Sequence, residues 1–221
     1  MRWGRQRPLW SQVLVGSTPT GMSILLRPMR PEDADEYSSI RTANRQWLGR
    51  WDATSPVPPT GPRTFDDLVD YYQEEAVAGR MLPFVIETDG RLIGQINVSN
   101  IVMGSFRSCT VGYWVTEAVA GQRVIPTALA LVSDHAIGVL GLHRIEVNIR
   151  PENTASLAVV RRLGFRDEGV RLRMLHIDGA WRDHRSFALT TEDLAGSTLM
   201  DRLTHSSQQP LGRHTATGPT A

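Results

Sequence analysis

The chain has no lysine: every one of its 24 Lys+Arg residues is arginine. That absence excludes a lysine base, a Schiff-base lysine and the lysine of a Walker-type phosphate loop. Cysteine is almost missing too. Cys109 stands alone, so no internal disulfide can form, and its place on a predicted strand marks it as a small core residue. No apolar run reaches the roughly 20 residues of a membrane span, and the stretch Pro8 to Val15 is too short and too polar for a signal sequence. The expected location is therefore cytoplasmic. Neither sign of charge dominates: 24 basic residues are interspersed with 23 acidic ones for a net charge of +1, which disfavours a nucleic-acid or membrane footprint. His176 and His184 fall on predicted strands without metal-like partner spacing, so no metal is expected.

What is present suits one well-packed domain. The 221 residues are 41% hydrophobic and 21% charged. Residues 1–21 read as an N-terminal arm, 22–195 as the folded domain, and the Ser-, Thr- and Gly-rich 196–221 as a disordered tail. Within the domain, Ser23 to Pro28 reads as a strand, Arg30 to about Leu48 as a helix, and Thr64 as the cap of a second helix closed by Gly79. A breaker-rich loop, Gly49 to Pro62, lies between them. Asp89-Gly90 and Asp178-Gly179 each separate two strand-like runs, the strongest short hairpin signal.

The chain is organised around Tyr113 to Gly141. A strand ends in Gly112-Tyr113-Trp114-Val115, a turn follows at Ala120-Gly121-Gln122, and an almost wholly apolar helix runs from Val124 to Leu140. Pro126 suits its first turn and Gly141 its stop. A glycine turn leading into a helix start presents unpaired N–H groups and a partial positive charge, which is a natural seat for a phosphate. A second strand, Arg144 to Arg150, leads to Pro151-Glu152-Asn153-Thr154-Ala155-Ser156. There Asn153 is a good N-cap, and Leu163-Gly164-Phe165 fits a Schellman end with Phe165 packed back on Val160.

This order of strand, anion turn, helix, strand, Asn-x-x-Ser, helix and Leu-Gly-Phe resembles the Gcn5-related N-acetyltransferase (GNAT) family, and most closely its RimJ/RimL branch, over residues 22 to 190. The resemblance implies an α/β (α+β) fold: a mixed, mostly antiparallel sheet that splays beside acetyl-CoA and is flanked by helices. It implies direct acetyl transfer to an amine, in this branch the N-terminal α-amine of a ribosomal protein bearing alanine or serine. The same fold acting on a small-molecule amine, or a catalytically silent acyl-CoA-binding module, are the alternatives. The implied partners are acetyl-CoA and a protein N-terminus, with no direct nucleic-acid or membrane contact, in a monomer or homodimer.

Residue by residue, the resemblance places the oxyanion contact on the backbone N–H around Val115. The pyrophosphate contacts fall on Gly121, Gln122, Arg123, Val124, Ile125 and Thr127. Asn153 and Ser156 face the pantetheine arm and the sulfur. Ser156 becomes the candidate acid, because the tyrosine that some relatives carry seven residues beyond the asparagine is Val160 here, and no tyrosine follows Tyr113. Asn148 stands where some relatives carry a glutamate base; an amide takes no proton but can orient a water. Glu146, Glu117, Asp52 and Asp183 are the acids able to approach in three dimensions. Acceptor recognition falls to Trp47, Trp51 and Asp52 and to Trp181 on the second hairpin. The turn departs from the family pattern at Ala120, Arg123 and Ile125, and Arg123 replaces a glycine that lets backbone approach phosphate. An arginine there either obstructs the pyrophosphate or clasps it.

Overall fold

The computed structural model describes residues 12–57 and 61–205; the first 11 residues of the arm, Pro58 to Thr60 of the loop and residues 206–221 of the tail lie outside the described residues. Eight strands form one sheet. They are β1 (Leu14–Ser17), β2 (Ser23–Pro28), β3 (Leu82–Thr88), β4 (Arg91–Val102), β5 (Ser108–Val115), β6 (Arg144–Ile149), β7 (Arg166–Ile177) and β8 (Ala180–Thr190), in the order β1-β2-β3-β4-β5-β6-β8-β7. All neighbours are antiparallel except β5 and β6.

That parallel pair positions the site. β5 and β6 are in register at Ser108↔Arg144, Cys109↔Ile145 and Thr110↔Glu146 only. Beyond those pairs β5 continues to Val115 and β6 to Ile149 without pairing to each other, so the sheet opens into a wedge. On its other side β5 stays bound to β4 as far as Gly94↔Val115. A Cβ at residue 94 would stand 2.4 Å from the Trp114 carbonyl oxygen, so only glycine allows this approach.

Helices cover both faces. On one, α1 (Ala34–Ala43) and α3 (Phe65–Val77), the latter through Val69, pack over Met29, Val85 and Leu92, and the short α2 (Arg45–Leu48) follows α1. The single helix expected up to Leu48 is broken at Asn44, whose side chain donates to the Ile40 carbonyl and draws the chain out of α-geometry. A capping box between Thr64 and Asp67 starts α3. On the other face, α4 (Val124–Gly138) lies in the main core with Ile24, Leu26, Phe84, Ile96, Leu129 and Val132.

An all-round apolar helix needs cover on every side. For α4 the sheet supplies one side, and α5 (Thr154–Arg162), β1 and α7 (Leu199–His205) supply the others. Two expectations are corrected here. Leu14–Ser17 of the arm is an edge strand, with Gly16 against Leu131 of α4. The start of the tail is helical: Leu199 and Leu203 are buried, and the Asp134 carboxylate on α4 accepts from the Leu199 and Met200 N–H groups at 2.8 and 3.1 Å. The short helix α6 (Thr191–Leu194) joins β8 to α7. Cys109 is buried in the core, where desolvation pushes its thiol up to about 12.

Candidate active site

The wedge between β5 and β6 opens into a cleft of about 1090 Å3, and a smaller cavity of about 200 Å3 lies in the gap itself. The turn before α4 closes one end of the cleft. Gly121 has φ +82° and Arg123 φ +66°, so Arg123 carries the left-handed conformation a glycine would take. Its carbonyl accepts from the Thr127 N–H and hydroxyl, which fixes the first turn of the helix. Gly121, Arg123, Val124 and Ile125 all line the cleft, and the first helical N–H groups lack intrahelical partners. Gln122 and Thr127 do not line it. The Gln122 N–H is engaged by the Val119 carbonyl and its side chain by Ala118, while Thr127 is fully buried, so both shape the turn from behind.

Arg162, which the sequence reading overlooked, lines the cleft beside Arg123. Burial and the Arg123 charge hold Arg162 below its ordinary pKa. Among the described residues neither guanidinium is paired with a carboxylate. Two like charges beside a helix start make this corner of the cleft electropositive.

In the gap, Asn153 caps α5 by accepting from the Ser156 N–H at 3.0 Å, and the Schellman end is formed by Gly164 N–H to Arg161 and Phe165 N–H to Val160. Asn153 and Ser156 line both the cleft and the smaller cavity. Asn148 faces the smaller cavity, and its Oδ1 accepts from the Ser186 hydroxyl at 2.6 Å, which leaves its amide to act as a donor. Tyr113, used in the sequence only to mark a strand, shares this space. Its hydroxyl is buried without a hydrogen-bond partner, burial raises its pKa strongly, and Ser156 nearby opposes that shift.

At the acceptor end, the Trp47 indole N–H donates to the Val115 carbonyl at 3.0 Å, so the end of β5 is held by α2. Trp51 lies between the guanidiniums of Arg50 and Arg150, 5.6 and 5.5 Å from its ring centroids, and Arg150 also donates to the Arg50 carbonyl. Asp52 is bound to Arg41, which in turn covers the Trp114 ring at 5.0 Å. Trp47, Trp51 and Asp52 line the cleft. Trp181 does not: it is 55% exposed and meets His176 edge-on, because the strand alternation that buries His184 turns it outward. Of the acids, Glu146 is held by Arg144 and Arg171, Asp183 accepts from the Arg173 N–H, and Glu117 is exposed. Only Asp52 among these four reaches a cavity wall.

Residues 23–166 match the acetyltransferase (GNAT) domain family. The chain belongs to that family. A Bacillus subtilis protein named probable N-acetyltransferase YjcK is 31% identical over 178 residues, covering 78% of this chain and 97% of that protein. The Escherichia coli [ribosomal protein uS5]-alanine N-acetyltransferase is 31% identical over 173 residues, 77% of this chain and 89% of the relative. The solved structure of Mycobacterium smegmatis RimJ in complex with CoA-disulfide superposes with a TM-score of 0.82 at 39% identity, covering 91% of this chain and 97% of RimJ. The chain is an acetyltransferase of the GNAT fold with RimJ/RimL relatives. Among the described residues no helix is long and apolar enough to cross a membrane, and no group of three or more His, Cys, Asp or Glu side chains is placed to hold a metal.

Proposed function

We propose that this enzyme transfers the acetyl group of acetyl-CoA to the N-terminal α-amine of a protein, with ribosomal proteins beginning in alanine or serine as the leading acceptors. The observation that carries the reading is the parting of β5 and β6, which creates a gap flanked by an anion-binding turn on one side and by Asn148, Asn153 and Ser156 on the other. The relatives named for ribosomal-protein acetylation, and the CoA bound in the RimJ structure, support the choice of co-substrate and acceptor.

In this reading the N–H groups of Gly121, Arg123, Val124 and Ile125 hold the pyrophosphate, with the charges of Arg123 and Arg162 beside it. The pantetheine arm enters the wedge, the N–H around Val115 stabilises the oxyanion, and the Ser156 hydroxyl supplies a proton to the departing thiolate. The acceptor enters past Trp47, Trp51 and Asp52. Acceptor chemistry favours the α-amine: at pH 7 roughly one in ten α-amines is neutral, against about one in a few thousand lysine side chains, a difference of about 3.5 kcal/mol.

The test is a panel assay with acetyl-CoA and three acceptors, beside a control without one: peptides starting in Ala or Ser, the same peptides N-terminally blocked but carrying an internal lysine, and spermidine. Mass spectrometry should find acetylation confined to the free N-termini. Acetylation of spermidine in preference to every peptide would move the enzyme to small-molecule amines. Binding of acetyl-CoA without turnover on any amine would make it a silent module.

A further inference from the structure

We infer that His184 is the general base of this site, taking a proton from the acceptor ammonium at Nε2. The inference rests on the amine-acetylation reading above. His184 lies on β8, two residues before Ser186, so the two side chains share a face of the sheet, and Ser186 binds Asn148 on that face. His184 is only 2% exposed, yet it lines the 200 Å3 cavity, together with Tyr113, Asn148, Asn153 and Ser156. It is thus withdrawn from bulk solvent and open to the gap where the reacting groups meet.

The hydrogen bonding fixes the tautomer. His184 Nδ1 is 3.1 Å from the Arg182 carbonyl oxygen, and a carbonyl can only accept, so Nδ1 carries the proton. In the neutral ring the lone pair then resides on Nε2. The bond to Arg182 is the ring's one hydrogen bond among the described residues. Its charged surroundings are Arg150 and Glu152 after β6, Asp183 on its own strand, and Arg171 opposite it on β7. Burial outweighs their mixed effects and holds the imidazole below its ordinary 6.5, hence neutral and basic at pH 7.

Most other candidates near the gap are engaged or unsuited. Asn148 is an amide and takes no proton, Asp52 is bound by Arg41, Glu146 by two arginines and Glu152 by Arg150, and Asp183 accepts a backbone N–H. The proton count closes as follows. The acceptor ammonium gives one proton to His184 Nε2 and becomes an amine, and its nitrogen forms the C–N bond as the C–S bond breaks. The nitrogen then sheds a second proton, the thiolate gains one through Ser156, and His184 returns its proton to solvent. One proton is released for each amide and thiol formed.

His184→Asn tests this, because its amide N–H can still serve the Arg182 carbonyl while the Nε2 lone pair is gone. With the best peptide acceptor, kcat/KM should fall by about 10²–10⁴-fold. The acid limb of the wild-type pH profile, below 6.5, should give way in the variant to one set by the acceptor α-amine itself at about pH 8, with acetyl-CoA affinity by calorimetry unchanged within about twofold. A purely structural histidine would leave the shape of the pH profile intact. Independently of activity, NMR of histidine-¹⁵N-labelled wild type should find the Nδ1–H tautomer and a midpoint below 6.5, which decides the matter if the variant fails to fold.

A variant within threefold of wild type at every pH, or an Nε2–H tautomer, overturns the assignment while the acetyltransferase reading stands. Wild type that acetylates no amine overturns both.

Discussion

The two ends of the cleft are built on different plans. At the turn before α4 the cleft is lined by residues of one run, Val119 to Pro126 without Gln122, joined by Arg162 of α5, and the first helical N–H groups lack intrahelical partners. At the acceptor end the walls come from α2, the following loop, β5, β6 and β8, and side chains do the work: Trp47 holds Val115, Arg41 holds Asp52 and covers Trp114, and Arg150 reaches Trp51 and Arg50. A backbone site tolerates changes of side chain, which is why a turn missing three family residues still takes the required shape. A side-chain site is specific but depends on every supporting contact. The cleft therefore joins a handle built from one short run to a mouth held by long-range side-chain contacts.

Four changes probe that contrast, in order of expected size. Ser156→Ala sits in the gap where both ends meet; its kcat/KM with a good acceptor should fall about 10²-fold or more, near 2.7 kcal/mol of transition-state stabilisation. A loss of less than threefold would remove Ser156 as the acid. Gly94→Ala forces β4 away from the Trp114 carbonyl, and urea unfolding should find a stability loss of roughly 1–3 kcal/mol. The mouth should suffer most, through the displacement of Val115 and Trp47.

Arg123→Gly separates shape from charge at the handle. Removing a left-handed arginine should stabilise the fold by about 1 kcal/mol, while loss of its charge should weaken acetyl-CoA binding about three- to tenfold. Tighter binding by the variant would mean that Arg123 obstructs the site. The smallest effect lies away from the cleft. The Arg144 guanidinium, with Arg166, lowers the Glu168 carboxyl to about 2 from its ordinary 4.5. A depressed acid stabilises the folded state above its unfolded pKa and loses that contribution as pH falls through the folded one. The urea midpoint of wild type should therefore exceed that of Glu168→Gln at pH 6, with the gap shrinking from about pH 4.5 downward and closing near pH 2.

The same contrast accounts for what the sequence made legible. The handle, both Asp-Gly hairpins, the Thr64 and Asn153 caps and the end of α5 rest on interactions between residues a few positions apart, so spacing alone reveals them. The parting of β5 and β6 came from the family resemblance rather than from any local pattern. The contacts of the mouth lie far apart in the chain: Trp47 meets Val115 across 68 residues, and Asn148 meets Ser186 across 38. His184 stands on a strand without metal-like partner spacing and carries no other local signal; its burial beside the gap and its bond to Arg182 appear only in the fold. Trp181 was placed at the acceptor site by hairpin position, and the pleat of β8 turns it outward. The composition of the tail hides the start of α7, whose Leu199 and Leu203 are buried because α4 needs cover on that side.

Calorimetric titration of the full chain with acetyl-CoA tests the central claim most directly, that the wedge and its turn form a working acetyl-CoA site despite Arg123. Saturable binding in the micromolar range, about −8 kcal/mol, is the result this account requires. No heat up to millimolar acetyl-CoA, from a sample whose fold is verified by circular dichroism, would contradict it.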